Sequence, residues 1–124
     1  MNSWSWTNVS DQRFKKNIRE EVYGVDFIKA LRPVTYELDQ ASIKRWHAEN
    51  FGLQEDGEVR QEQMESENPI IHSGFLAQEV EACAKTLSYE FSGVDAPKND
   101  QDYYGLRHAE FVVPLVRLYK SSKK

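Results

Sequence analysis

Val9-Ser10-Asp11-Gln12-Arg13-Phe14-Lys15-Lys16-Asn17-Ile18 is the stretch around which this chain is organised. From Ser10 to Lys16 it holds a hydroxyl, a carboxylate and the cations Arg13, Lys15 and Lys16, and an apolar residue follows at Ile18. Ser10 or Asp11 can cap a helix, because a side-chain oxygen there accepts from the free N–H groups of the first turn. Phe14, Ile18 and Val22 fall at i, i+4 and i+8, so the spacing predicts a helix with one narrow apolar stripe, broken at Gly24. On these residues alone, Ser10 reads as an N-cap and Lys15 as a solvated cation.

Upstream, Trp4 and Trp6 alternate with Ser3, Ser5 and Thr7, a short strand pattern over residues 3–9. The opening Met-Asn-Ser-Trp-Ser-Trp is not a targeting signal and reads as the tail of something upstream. Downstream, Val25, Ile28 and Leu31 have helical spacing, and Arg32-Pro33 ends that helix because a residue before proline avoids the helical region. Residues 34–38 alternate and are β-rich. Ile43, Trp46, His47 and Phe51 predict an amphipathic helix ending at Gly52. Residues 54–68 are acidic and poor in apolar side chains, which predicts a solvated loop insertion. Residues 69–75 read as a strand entering a turn. Leu76, Val80, Cys83, Ala84 and Leu87 mark a clear helix, 87–91 a further strand, and 92–102 a loop. From Arg107 the chain turns helical, with His108, Phe111, Val112, Leu115 and Tyr119 on one face. Pro114 fits there only near the first turn or at a bend. This last helix is expected to stop within a few residues of Leu118, ahead of a polar, disordered tail at 121–124.

The predicted class is α+β: a small antiparallel or mixed sheet with helices packed on one side and a C-terminal helix. The 124 residues suit one domain that can bury a core without metals or disulfides. The formal net charge of −4 argues against nucleic acid as partner. No apolar run approaches a membrane span. Cys83 is the single cysteine, so it has no internal disulfide partner, and it reads as a small core residue. No two histidines have zinc-ligand spacing, so neither metal nor cofactor is expected.

Other polar residues stand between structural and functional readings. His72, just before the Gly74 turn, is either a strand-end histidine or a group near a reacting bond. Gln78 reads as a backbone partner near that turn, and Glu79 as solvated. Gly74 reads as a tight turn or a close backbone approach. Trp4, Trp6 and Trp46 read as core or as contacts between copies.

Four pieces occur in one order: Ser10-Asp11-Gln12-Arg13-Phe14-Lys15-Lys16-Asn17-Ile18; Leu31-Arg32-Pro33-Val34-Thr35-Tyr36; Gly74-Phe75-Leu76-Ala77-Gln78-Glu79-Val80; and Tyr104-Gly105-Leu106 to Pro114-Leu115-Val116. In this order they resemble the intramolecular chaperone autoprocessing domain, also called the peptidase S74 or endosialidase-chaperone family. The likeness runs from residue 10 to about residue 118.

The resemblance implies a C-terminal domain of phage tail fibres, tailspikes or bacterial surface proteins. Such a domain assembles as a homotrimer, helps an upstream fibrous segment of its own chain to fold, and then cuts itself off. On that reading residues 1–9 are the remnant of the client and 10–120 are the chaperone domain. The cut falls at Val9–Ser10, and Ser10 and Lys15 form a Ser-Lys dyad acting once as a self-cleaving serine endopeptidase. Asp11, Arg13, His72 and Gln78 are supporting candidates. Location follows the client: virion tail fibre, or bacterial cell surface or secreted.

The chemistry fits, since a serine hydroxyl needs a base, and a lysine serves when burial or a neighbouring cation destabilises its charge. Arg13 and Lys16 are such neighbours. Asp11 can orient Lys15 or cap the helix. Positions five apart on a regular helix are rotated by about 140°. Ser10 is therefore expected outside the helix, or Lys15 to reach a serine of another copy. The alternatives are a non-cleaving trimerisation or adhesion module, and a small binding domain whose site is the acidic loop.

Overall fold

The computed structural model describes residues 7–52 and 69–122. Trp4, Trp6, the 54–68 insertion and the last two lysines lie outside the described residues. Within them, four α-helices and two two-stranded antiparallel ribbons form an α+β body, as the sequence predicts. The helices are α1 (Val25–Ala30), α2 (Gln40–Phe51), α3 (Ala77–Thr86) and α4 (Val112–Ser122). The strands are β1 (Val34–Tyr36), β2 (His72–Gly74), β3 (Val94–Asp95) and β4 (Gly105–Leu106). β1 pairs with β2, with Val34 opposite Gly74 and Tyr36 opposite His72. β3 pairs with β4, with Val94 opposite Leu106.

The core is aromatic. Phe27 of α1 is completely buried, and Val80 and Ala84 of α3 and Phe111 are buried with it. Tyr89, Phe91 and Phe111 surround the Phe27 ring at centroid distances of 5.1, 4.7 and 6.4 Å. Phe75 stacks on Phe111 at 5.1 Å and extends the cluster towards β2. Offset and edge-on pairs of this kind add to the burial of each ring.

Punctuation residues do the expected work at several boundaries. Gly52 caps α2 in the left-handed conformation, φ 66°, and its N–H donates to the Ala48 carbonyl. Asp39 caps the other end by accepting from the Ser42 N–H at 3.0 Å. Gly24 opens α1 against α4, where a Cβ would lie 2.8 Å from the Leu118 nitrogen. At Gly74 a Cβ would meet the Tyr36 ring at 3.3 Å, the close approach that glycine permits. Pro114 is the third residue of α4, where its missing N–H has no intrahelical acceptor to lose.

Four expectations are corrected. The helix predicted from Ser10 to Gly24 is absent: a 3-10 turn at Gln12–Phe14 is followed by extended Lys15 and by Asn17 at φ 56°. Two of the three stripe residues stay out of the core, with Phe14 73% and Ile18 67% exposed, and Val22 is half-buried. Residues 7–9, the described part of the predicted 3–9 strand, carry no regular structure. No strand forms at 87–91 either, because those residues terminate α3. Ser88 adopts φ 55°, its N–H donates to Lys85 O at 3.0 Å, and the Tyr89 N–H donates to Ala84 O at 2.8 Å. This is the Schellman arrangement, and it turns Tyr89 and Phe91 back into the core. Finally, of the predicted C-terminal face only Phe111, in the 3-10 turn just before α4, is buried, and α4 itself buries Pro114. Val112 and Leu115 remain 55% and 48% exposed, and the helix ends at Ser122, so residues 121 and 122 belong to it rather than to the tail.

Candidate functional site

The N-terminal arm, residues 7–22, is exposed almost throughout. Its one piece of regular structure is the Gln12–Phe14 turn, which contains no buried residue. Backbone bonds Phe14 N–H to Asp11 O, 3.0 Å, and Lys15 N–H to Gln12 O, 3.1 Å, close it. Ser10 precedes the turn and Lys15 follows it in an extended conformation, φ −110°. The chain therefore folds back, and Lys15 Nζ donates to Ser10 Oγ at 2.9 Å within the same chain. The 140° disparity of a continuous helix does not arise, because neither residue lies inside one. Both side chains are exposed, as is Val9, 78%.

Asp11 is the cap. Its Oδ1 accepts from the Arg13 N–H at 2.9 Å and from Arg13 Nε at 3.1 Å, and its Oδ2 accepts from the second guanidinium nitrogen at 2.9 Å. The side-chain bond to Arg13, and then the backbone bond, hold the Asp11 carboxyl below its ordinary range. The same pair raises the Arg13 guanidinium. Asp11 thus partners Arg13 rather than Lys15, and Arg13, expected as a bare cation beside Lys15, carries its own counter-ion.

The remaining candidates lie on the body. His72 of β2 stacks on Tyr36 of β1 at 5.4 Å. Gln78, in the first turn of α3, lines an open groove of about 390 Å³ with Tyr36, Tyr103, Tyr104 and His108. Among the described residues, neither His72 nor Gln78 hydrogen-bonds to Ser10 or Lys15. Glu79 is not merely solvated. It takes a two-pronged contact from Arg32, Nε to Oε1 at 3.1 Å and NH2 to Oε2 at 2.6 Å. This ion pair ties the Leu31-Arg32-Pro33 segment to the start of α3. It went unread because the partners are 47 positions apart in the chain. Cys83 donates to Ala30 O at 3.3 Å, a packing role beside the same junction.

Among the described residues, no group of three His, Cys, Asp or Glu side chains is placed to hold a metal ion. No described helix is long and apolar enough to cross a membrane.

No curated protein and no solved structure matches the chain. A family model described as the chaperone of endosialidase, Peptidase S74, matches residues 10–89, beginning at Ser10 and covering well over half of the chain. The matched span carries the Ser10–Lys15 turn, the β1–β2 ribbon and α3, while β3, β4 and α4 lie beyond it. The chain therefore belongs to the peptidase S74 family, the chaperones of endosialidase.

Proposed function

We propose that this chain is an intramolecular chaperone that assembles as a homotrimer, assists the folding of an upstream fibrous segment, and then releases itself by cutting Val9–Ser10. The observation that carries the reading is the 2.9 Å hydrogen bond between Lys15 Nζ and Ser10 Oγ, in a family that begins its match at Ser10. Residues 10–120 are the working domain in this reading and residues 1–9 the end of the client. A phage tail fibre or a bacterial surface protein is the setting.

The reaction follows from the residues. A neutral Lys15 amine accepts the Ser10 Oγ proton, reversing the direction of the hydrogen bond. Ser10 Oγ then attacks the Val9 carbonyl carbon. The Val9–Ser10 C–N bond breaks, Lys15 returns the proton to the leaving amine, and an ester joins the Val9 carbonyl to Ser10 Oγ. Water hydrolyses that ester, leaving a Val9 carboxylate and a chain that starts at Ser10 with its hydroxyl restored. The enzyme consumes its own bond, so it turns over once. No step is assigned to His72 or Gln78, which sit beside Tyr36.

A lysine acts as base when burial or a nearby cation destabilises its ammonium form. Lys15 is exposed in the single chain, so the reading assigns its burial to assembly. Two surfaces support assembly. Val112, Leu115 and Val116 of α4 form an exposed apolar stripe at i, i+3, i+4, opposite the buried Pro114. Phe14 and Ile18 expose further apolar area on the arm itself. Patches of this kind mark interaction sites.

The test fuses a reporter domain ahead of residue 1 and compares wild type with Ser10→Ala and Lys15→Ala by mass on a denaturing gel. Release by the wild type alone is expected. Equal full-length product from all three would sink the protease claim. Sedimentation of the same samples reads assembly: a strict monomer at high concentration would contradict the chaperone's trimeric form. A cleavage-deficient trimer would instead identify the non-cleaving assembly module.

A further inference from the structure

We propose that Asp11 and Arg13 are positioning residues that set the Ser10–Lys15 contact, an inference that rests on the dyad reading above. The problem they solve is one of distance. A fully extended chain separates positions five apart by roughly 17 Å, and a helix turns them away from each other. Only a tight reversal brings Lys15 Nζ to 2.9 Å from Ser10 Oγ.

That reversal is a single exposed 3-10 turn without a buried residue. Short helical segments are marginal without packing, because nucleation fixes several dihedrals for one bond. Two backbone bonds close this turn, and the Asp11 carboxylate supplies three more through Arg13 N, Nε and NH2. Three of these five bonds therefore depend on the Asp11 carboxylate, and two of the three on its ion pair with Arg13.

The pair has a second effect. Asp11 is the acidic side chain nearest Lys15 in sequence, and a free carboxylate there would compete with Ser10 for the lysine ammonium. The planar guanidinium of Arg13 occupies both carboxylate oxygens. Lys15 is left to the serine. The other charges of the arm are Lys16, Arg19, Glu20 and Glu21, of which Arg19 pairs with Glu21 at 3.8 Å.

The experiment uses the reporter fusion and follows single-turnover release in wild type, Asp11→Ala, Asp11→Asn, Arg13→Ala and Arg13→Lys, with Ser10→Ala as the inactive control. Asp11→Ala and Arg13→Ala are expected to slow release on the order of 10- to 100-fold, the scale of a misplaced catalytic group, with unchanged melting midpoints. Arg13→Lys restores charge without the two-pronged fit and recovers only part of the rate. Asp11→Asn keeps an N-cap oxygen and is likewise intermediate. A second readout does not depend on activity: the NMR cross-relaxation between the Lys15 ε-methylene and the Ser10 β-methylene, present in the wild type and lost in Arg13→Ala. Wild-type release rates in Asp11→Ala and Arg13→Ala, with Ser10→Ala inactive, would overturn the positioning role and leave the dyad standing. Absence of release from every protein, wild type included, would overturn the dyad, and the NMR contact would then decide the positioning role alone. Its persistence in Arg13→Ala refutes that role, and its loss supports it.

Discussion

Phe14 and Phe27 carry the same side chain in opposite settings. Phe14 sits on the N-terminal arm, 73% exposed, with the Arg13 guanidinium 5.6 Å from its ring centroid. Phe27 sits at the centre of the body, fully buried among Tyr89, Phe91 and Phe111. The body is held by burial and ring packing. The arm is held by hydrogen bonds between neighbours in sequence. The candidate chemistry lies on the arm, so the residues that fold this protein and those proposed to cut it are separable by mutation.

The largest expected effect tests that separation directly. Phe27→Ala should destabilise the body by about 3–5 kcal/mol, whereas Phe14→Ala should change stability by no more than about 0.5 kcal/mol. Chemical denaturation of the two variants checks this, and comparable losses would mean that the arm packs on the body in solution. Gly24→Ala comes next. Its Cβ would approach Leu118 N at 2.8 Å and Arg117 Cγ at 2.9 Å, so α1 and α4 must part, at a cost of about 1–3 kcal/mol. A Gly24→Ala protein as stable as wild type would show that the α1–α4 junction yields freely.

Ser88→Gly should stabilise the protein by up to about 1 kcal/mol, because the left-handed conformation at φ 55° costs serine what it does not cost glycine. A loss on thermal melting would show that the Ser88 side chain compensates its backbone.

The smallest effect belongs to the exposed Arg32–Glu79 pair. The Arg32 hydrogen bond lowers the Glu79 pKa, so any stability it confers is present above the unfolded carboxylate range, about 4, and fades as pH falls through the lowered value. Glu79→Gln should therefore lower the melting midpoint slightly at neutral pH and converge with wild type in acid. A difference that widens in acid would reverse that sign.

The sequence made much of the body legible and little of the arm. α1, α2 and α3 repeat apolar residues at helical spacing, and Pro33 and Gly52 mark where helices end. Gly74 was readable as a close approach, although its partner Tyr36 was not. The 87–91 segment misled because Leu87, Tyr89 and Phe91 alternate as a strand would, while a left-handed serine converts the same alternation into a helix stop. The two-residue strands β3 and β4 are too short to show a period: β3 lies inside the segment 92–102 predicted as a loop, and residues 96–104 separate it from β4. Along α4, a count of apolar residues does not say which of two apolar faces meets the core. Ser10 and Lys15 were singled out by the order of four motifs, and Ser10 was expected ahead of the helix start. Asp11 was readable as a cap, but its pairing with Arg13 was not: the Phe14, Ile18 and Val22 spacing suggested a full helix, and a three-residue turn has no periodicity to read.

The central claim is that Ser10 cuts the bond before it with Lys15 as base. Its most direct test is the intact mass and N-terminal sequence of the fragment released from the reporter fusion. The account predicts a wild-type fragment whose first residue is Ser10, and no such fragment from Ser10→Ala or Lys15→Ala. A fragment beginning at another residue, or one released equally by Ser10→Ala, would contradict it.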